Sequence, residues 1–166
     1  YMVRVEKYPE ATSLSENELE ANIEFFKAVF AMAKERGIDT YIITWNIFVS
    51  EEFAKAHGIP PSGHDSFLVK DYMKECVKAL LKTYPGLTGI GTCAGERMKS
   101  WRDPWGLRYN AQWIKDVYMN SIKESRRIVP FIFRAWNSDP KIAQEIIAAD
   151  YPGQVYVSQK FNGEHM

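Results

Sequence analysis

Glu96 closes the stretch Gly89-Ile-Gly-Thr-Cys-Ala-Gly-Glu96, which leaves a short apolar run at 87–90. The run reads as a buried strand, and the glycines keep bulk away from the carboxylate where that strand ends. Three more apolar runs close in a similar way, with Thr44-Trp45-Asn46, Arg134-Ala135-Trp136-Asn137 and Lys160-Phe161-Asn162-Gly163-Glu164-His165. Where strands alternate with helices, the loops after the strands build the active site, and strand C-terminal ends carry the catalysts. Four ends with polar and aromatic groups suggest an enzyme.

One chemistry open to a carboxylate among aromatic and polar groups is cleavage of a glycosidic bond. It usually takes two carboxyl groups, about 5–5.5 Å apart for retention of configuration and roughly 6.5–9.5 Å for inversion. One of them must stay protonated near neutral pH, which burial against apolar walls achieves by disfavouring the anion. Glu96 is the candidate acid, with Trp45 or Trp101 as a wall; the alternative is a glutamate paired with Arg97 or Arg134 to hold loops together. Glu164 is the candidate second carboxylate, or else a residue of a frayed tail. Asn46, Arg97, Arg134, Lys160, Asn162 and His165 are polar groups available to orient hydroxyls. Arg134 and Lys160 also suit an anionic sugar, since a guanidinium grips a carboxylate through two parallel hydrogen bonds and an ammonium acts as a point charge. Each can equally be a member of a buried ion pair. Trp45, Trp101, Trp105 and Trp136 offer flat faces for sugar rings, or plugs for the core. His57, His64 and Asp65 match no standard metal spacing and read as solvated loop residues, while Met98 and Met119 read as core filler. No metal and no cofactor is expected.

The elements that must position these groups follow from the apolar periodicity. Val3 and Val5 alternate with charged neighbours and read as a strand. Ser13 and Ser15 each stand three before a glutamate, the capping-box pattern of a helix start. Leu19, Ile23, Phe26, Val29, Phe30 and Ala33 then recur at helical spacing until Gly37. Residues 40–48 form a β-branched and aromatic run typical of a covered strand. Residues 50–66 hold Gly58, Pro60, Pro61 and Gly63 and mark a long excursion. A helix is expected over 67–84, a strand over 87–92, an irregular loop around Trp101–Gly106, a helix over 110–127 and a strand over 128–134. A short helix near 140–149 leads to a last strand at 154–160. Such alternation predicts a parallel sheet with helical crossovers. The expected fold is α/β, with parallel β/α units of about five strands and four helices forming part of a TIM-type (β/α)8 barrel, since a complete one needs about 250 residues. An open doubly wound sheet is the alternative, but no phosphate-binding fingerprint is present: the glycine-rich stretch before Glu96 has no Lys-Ser/Thr ending.

The 166 residues carry 21 acidic and 21 basic side chains, so the formal net charge is zero. That argues against binding to nucleic acid or a membrane surface, which calls for a basic excess. No apolar run approaches the roughly 20 residues of a membrane span. Cys76 and Cys93 form neither a disulfide framework nor a metal knuckle. The chain reads as a single domain over 1–166, a segment of something larger, because its first residues look like the inside of a strand.

Residues 35–48, 83–91, 94–98 and 158–166 together resemble a group of bacterial glycoside-hydrolase-like barrels, α-glucuronidase-like proteins often found beside carbohydrate-binding modules. The Thr-Trp-Asn and Gly-Ile-Gly…Gly-Glu…Met segments are the more specific parts, and the resemblance spans nearly the whole chain. It implies a periplasmic or extracellular bacterial glycosidase with an oligo- or polysaccharide substrate and a flanking carbohydrate-binding module. Glu96 would match the general acid of α-glucuronidases. The position of Glu164 is often not acidic in the group, so there only Lys160 and His165 carry over, and the later strands of a full barrel are not in this sequence. The expected function is cleavage of a plant or algal polysaccharide, including one bearing uronic acids. The alternative is a non-catalytic carbohydrate-binding or scaffold barrel.

Overall fold

A computed structural model of the chain describes residues 1–45, 49–61, 66–93, 103–135 and 139–159. Four strands, β1 (Tyr41–Trp45), β2 (Gly89–Cys93), β3 (Phe131–Ala135) and β4 (Val155–Gln159), make one sheet in the order β1-β2-β3-β4, every neighbouring pair parallel. Helix α1 (Glu16–Glu35) precedes β1. Helices α2 (Glu51–His57) and α3 (Phe67–Thr83) lead to β2, α4 (Pro104–Ile114) and α5 (Asn120–Glu124) to β3, and α6 (Pro140–Ile146) to β4. The strand–helix alternation expected from periodicity is present as successive β/α units. Among the described strands the order never reverses, whereas a doubly wound sheet reverses at its ligand-binding switch point. The described strands form an open sheet rather than a closed barrel.

Local chemistry accounts for the helix boundaries. Ser15 and Glu18 form a reciprocal capping box, the Glu18 carboxylate accepting from the Ser15 amide at 2.9 Å and the Ser15 hydroxyl accepting from the Glu18 amide at 3.4 Å. Two otherwise orphaned amides are thereby satisfied at the start of α1. Gly37 follows its end at φ +68°, a conformation that suits a residue without Cβ. Asp103 caps α4 by accepting from the Gly106 amide at 2.9 Å, with Pro104 in the first turn, where its missing amide is no loss. A π-helical turn, Lys115–Met119, joins α4 to α5.

Parallel register puts residues directly opposite one another on the same face. Ile42, Ile90, Phe131 and Val155 make one row, and Thr44, Thr92, Phe133 and Val157 the next. Ile90, Phe131 and Phe133 from these rows join Val69, Val77, Trp113, Ile114, Val117 and Ile122 of the helices in one buried core, against which Ile42 and Val155 also pack. The opposite face carries Tyr41, Ile43, Gly89, Gly91, Ile132 and Tyr156, and there Ile43 and Tyr156 are exposed. On this face β2 is short of room. A methyl group on Gly91 would overlap the carbonyl oxygen of Ile132, and one on Gly89 would overlap the Tyr41 ring and the carbonyl of Pro130.

Arg127 fastens the opposite end of the sheet. Its guanidinium donates to the carbonyls of Leu81 and Tyr84, each at 2.8 Å, of Pro85 at 3.1 Å, and of Leu87. It thus serves the last carbonyls of α3 and the turn into β2, groups a helix leaves without intrahelical partners.

Several expectations are corrected. The segment around Val3 and Val5 forms no strand: Val5 is buried in the core and the Tyr84 hydroxyl donates to the Met2 carbonyl, so its apolar residues are covered without sheet pairing. The sheet therefore has four described strands rather than about five. The excursion after β1 contains α2, started by Ser50, whose hydroxyl accepts from the Phe53 amide at 3.1 Å. The helix expected from 110 begins at Pro104, so Trp105 is helical rather than in a loop. His57, expected in solvent, ends α2 with its Nε2 2.6 Å from Glu10 Oε1 and its ring 4.4 Å from that of Phe53. His64 and Asp65 lie outside the described residues. Met119 is core filler, as expected.

Two substitutions test this packing. Replacing Arg127 with Met leaves carbonyls of the α3 exit without donors, and should lower stability by about 2–3 kcal/mol in urea unfolding. Gly91→Val forces β2 and β3 apart and should cost about 1–3 kcal/mol or more, the range for overpacking; an unchanged midpoint would contradict the close approach.

Candidate functional site

The four strands end together. Pairing aligns Trp45 with Cys93, Cys93 with Arg134, and Arg134 with Ser158, so one row crosses the sheet at its C-terminal edge. This row lies on the face away from the helices, because it alternates with the buried row of Thr92 and Phe133. Cys93 is buried and Arg134 half-buried within it. From this edge the chain continues into 46–48 after β1, 94–102 after β2, 136–138 after β3 and 160–166 after β4. The strand-exit arrangement expected from the sequence is therefore set by register: segments distant in sequence start within one strand spacing of each other, about 4.8 Å per neighbour.

Most of the expected site residues belong to those continuations. Glu96, Arg97, Asn46, Trp136, Lys160, Asn162, Glu164 and His165 lie outside the described residues, as do Trp101 and Met98. Trp45 is placed as the last residue of β1. Arg134 is the expected site residue whose side chain is described, in β3, one position before the strand's last residue. The structure thus brings Trp45 and Arg134 to the same row of one edge, two strands apart across β2.

A hydroxyl network that sequence reasoning missed lies just beneath that edge, on the helix side. Thr92 donates from Oγ1 to the Thr44 carbonyl at 3.0 Å, and Thr44 Oγ1 lies 3.3 Å from the Tyr118 hydroxyl. Thr92 and Tyr118 are buried. Burial pushes the Tyr118 phenol up, while hydrogen bonds to Thr44 and Thr92 pull the other way. Either hydroxyl can donate in the Thr44–Tyr118 contact. Tyr118 belongs to the π turn, and such single-turn insertions often accompany functional sites. The network ties β1 to β2 one residue before each ends, which fixes where the segments with Asn46 and Glu96 depart. The signal available in the sequence was a threonine in the same place near the end of two apolar runs.

The clefts at the other end have a different character. One of about 560 Å³ is lined by Arg4, Lys7, Glu20, Lys27, Lys78 and Lys82 beside the exit of α3. Its cations are matched by acids: Arg4 with Glu16 and Glu20, Lys7 with Asp71, Lys27 with Glu24, Lys78 with Glu75, and Lys82 with Glu6. Such compensated, exposed pairs contribute little individually. In β/α architectures this end serves stability rather than catalysis. Among the described residues no three His, Cys, Asp or Glu side chains come together as a metal site, and no helix is long and apolar enough to cross a membrane.

No protein-family model matches the chain, and no curated protein matches it. Among solved structures it is similar to a GH138 enzyme targeting pectin rhamnogalacturonan II, with a TM-score of 0.84 and 26% sequence identity. The match covers 97% of this chain and 23% of that enzyme, so this chain spans about a quarter of the enzyme's length. The likeness supports a relationship to glycoside hydrolases, though not to the α-glucuronidase-like group in particular.

Proposed function

We propose that the chain is the strand-exit part of a glycoside hydrolase barrel acting on a pectic, uronic-acid-bearing polysaccharide, with Glu96 as general acid. The observation that carries the reading is the shared C-terminal edge: four parallel strands end in step, and their continuations contain Asn46, Glu96, Trp136 and Lys160. The similarity to a GH138 enzyme over 97% of the chain supports carbohydrate as the substrate and hydrolysis as the reaction. The open sheet face and the sequential strand order fit a segment of a larger barrel, whose remaining strands would cover that face.

In this reading Glu96 protonates the leaving glycosidic oxygen, and its proton is retained near neutral pH by an apolar neighbour such as Trp45 or Trp101. Glu164, or a carboxylate beyond these residues, activates water or attacks the anomeric carbon. Arg134 sits on the face from which a substrate would approach, and its fork of donors suits a uronate carboxylate. Lys160, Arg97, Asn46, Asn162 and His165 bind hydroxyls or the same carboxylate, and Trp136 packs against a ring. A flanking carbohydrate-binding module in the parent protein would hold the polymer close.

Glu96→Gln tests the assignment, since the amide keeps the shape and loses the transferable proton. Release of sugar from rhamnogalacturonan II should fall by about 10²–10⁴-fold, the usual worth of a positioned general acid, with binding retained. Undiminished turnover would remove Glu96 from the mechanism, and a parent protein that binds the glycan without ever cleaving it would favour a binding barrel. Arg134→Met should raise KM for uronate-bearing oligosaccharides more than for neutral ones.

A further inference from the structure

Beneath the exits of β1 and β2, one side chain lies across the sheet. The ring of Tyr118 packs on that of Phe131 in β3, centroids 5.5 Å apart at an interplanar angle of 51°. Its hydroxyl lies 3.3 Å from Thr44 Oγ1 of β1. Because β2 stands between those strands, the phenol runs under β2 on the helix side. Thr92 of β2 completes the set by donating to the Thr44 carbonyl at 3.0 Å. Tyr118 and Thr92 are buried, and so are Val117 and Met119 on either side of the phenol.

Packing alone does not call for these groups. Phenylalanine at 118 and valine at 44 and 92 would fill nearly the same space, with no polar atom to satisfy. A buried hydroxyl costs free energy unless it is hydrogen-bonded. What a satisfied polar set adds is one preferred geometry, because its hydrogen bonds weaken steeply when the groups shift. That geometry matters most at β1. Among the described strands β1 is an edge, with a ladder on one side, and Thr44 is exposed. Its last residues are thus held by β2 and by the phenol. The π turn that carries Tyr118 packs on α3, so the phenol is anchored in the helix layer rather than in the strand it holds. In the chain, Thr44 stands two residues before Asn46, and Thr92 four before Glu96.

We infer that Tyr118 is a positioning residue for the reaction: through Thr44 and Thr92 it holds the ends of β1 and β2 in the register from which Asn46 and Glu96 are presented. Lying on the helix side of the sheet, it is kept away from the substrate and acts on the chemistry only through those two strands. A reacting group needs to be held to within a fraction of an ångström, and its rate suffers when a support behind it gives way. The inference rests on the glycoside hydrolase reading and names the side chain that keeps the acid of that reading in place.

Tyr118→Phe removes the hydroxyl and keeps the ring. In the parent protein it should lower kcat on rhamnogalacturonan II about ten- to a hundredfold and leave KM within roughly twofold, as slight misplacement of a reacting group does. The alkaline limb of the pH–rate profile should move to lower pH, because Glu96 loses part of its apolar setting. Thr44→Val should reproduce both effects and Thr44→Ser neither. The double variant should be no worse than a single one, since both lose the same contact. Amide hydrogen exchange should quicken in 41–48 and 89–96 but not in 131–135 or 155–159. Far-UV circular dichroism checks folding, and Thr44→Val carries the test if Tyr118→Phe does not fold. Unchanged kcat, or exchange quickened evenly over all four strands, overturns the inference, and cleavage by the unmutated protein then leaves the hydrolase reading standing. If the unmutated protein never cleaves, the hydrolase reading fails, and exchange at the two strand exits alone decides whether Tyr118 holds them.

Discussion

Gly89 and Gly91 let β2 lie with its backbone against neighbours on both sides, the Tyr41 ring over one and the Ile132 carbonyl beside the other. No side chain fits at either position, so β1 and β3 close on β2 at the distance a parallel ladder requires. Register follows from that approach, because slipping either neighbour by one residue would turn its buried residues to the wrong face. With register set, the row of Trp45, Cys93, Arg134 and Ser158 crosses the sheet unbroken.

The two ends of the sheet are held by different means. At the entry end, one guanidinium gathers carbonyls from the close of α3 and the turn into β2. At the exit end, tying is done by hydroxyls: Thr92 to the Thr44 backbone, and Thr44 to Tyr118. Neutral hydroxyls thus hold β1 and β2 at this end. The division matches the one general to β/α architectures, with stability at one end and chemistry at the other.

Much of the fold was legible because its signals are local. The Ser15–Glu18 box, Gly37 and the apolar spacing of α1 sit within a few residues of one another, and so does the sequence pattern of β2. Errors fell where a distant partner decides. Val3 and Val5 alternate as a strand would, yet Val5 is buried in the core and Val3 packs against it without a ladder. His57 looked like a loop residue because Glu10, its partner, is 47 positions away. The start of α4 was legible in principle, from Asp103-Pro104 at cap and first turn, but Trp101 and Gly106 nearby gave the stretch an irregular look. For the candidate site, what was readable is that Trp45 and Arg134 reach one strand-exit edge, while Glu96 and Glu164 lie outside the described residues.

The π turn at Lys115–Met119 has a consequence for the rim above it. Such a turn is an α-helix holding one surplus residue, so the helix on either side is out of phase by about 100°. Below it, Ile122 is locked in the core; above it, α4 packs against α6. Were that surplus residue lost, the upper helix would swivel like a dial while the lower part stayed put, breaking the reach of Arg108 to Glu145 of α6. A single insertion thus sets the compass bearing of the rim separately from the packing of the interior.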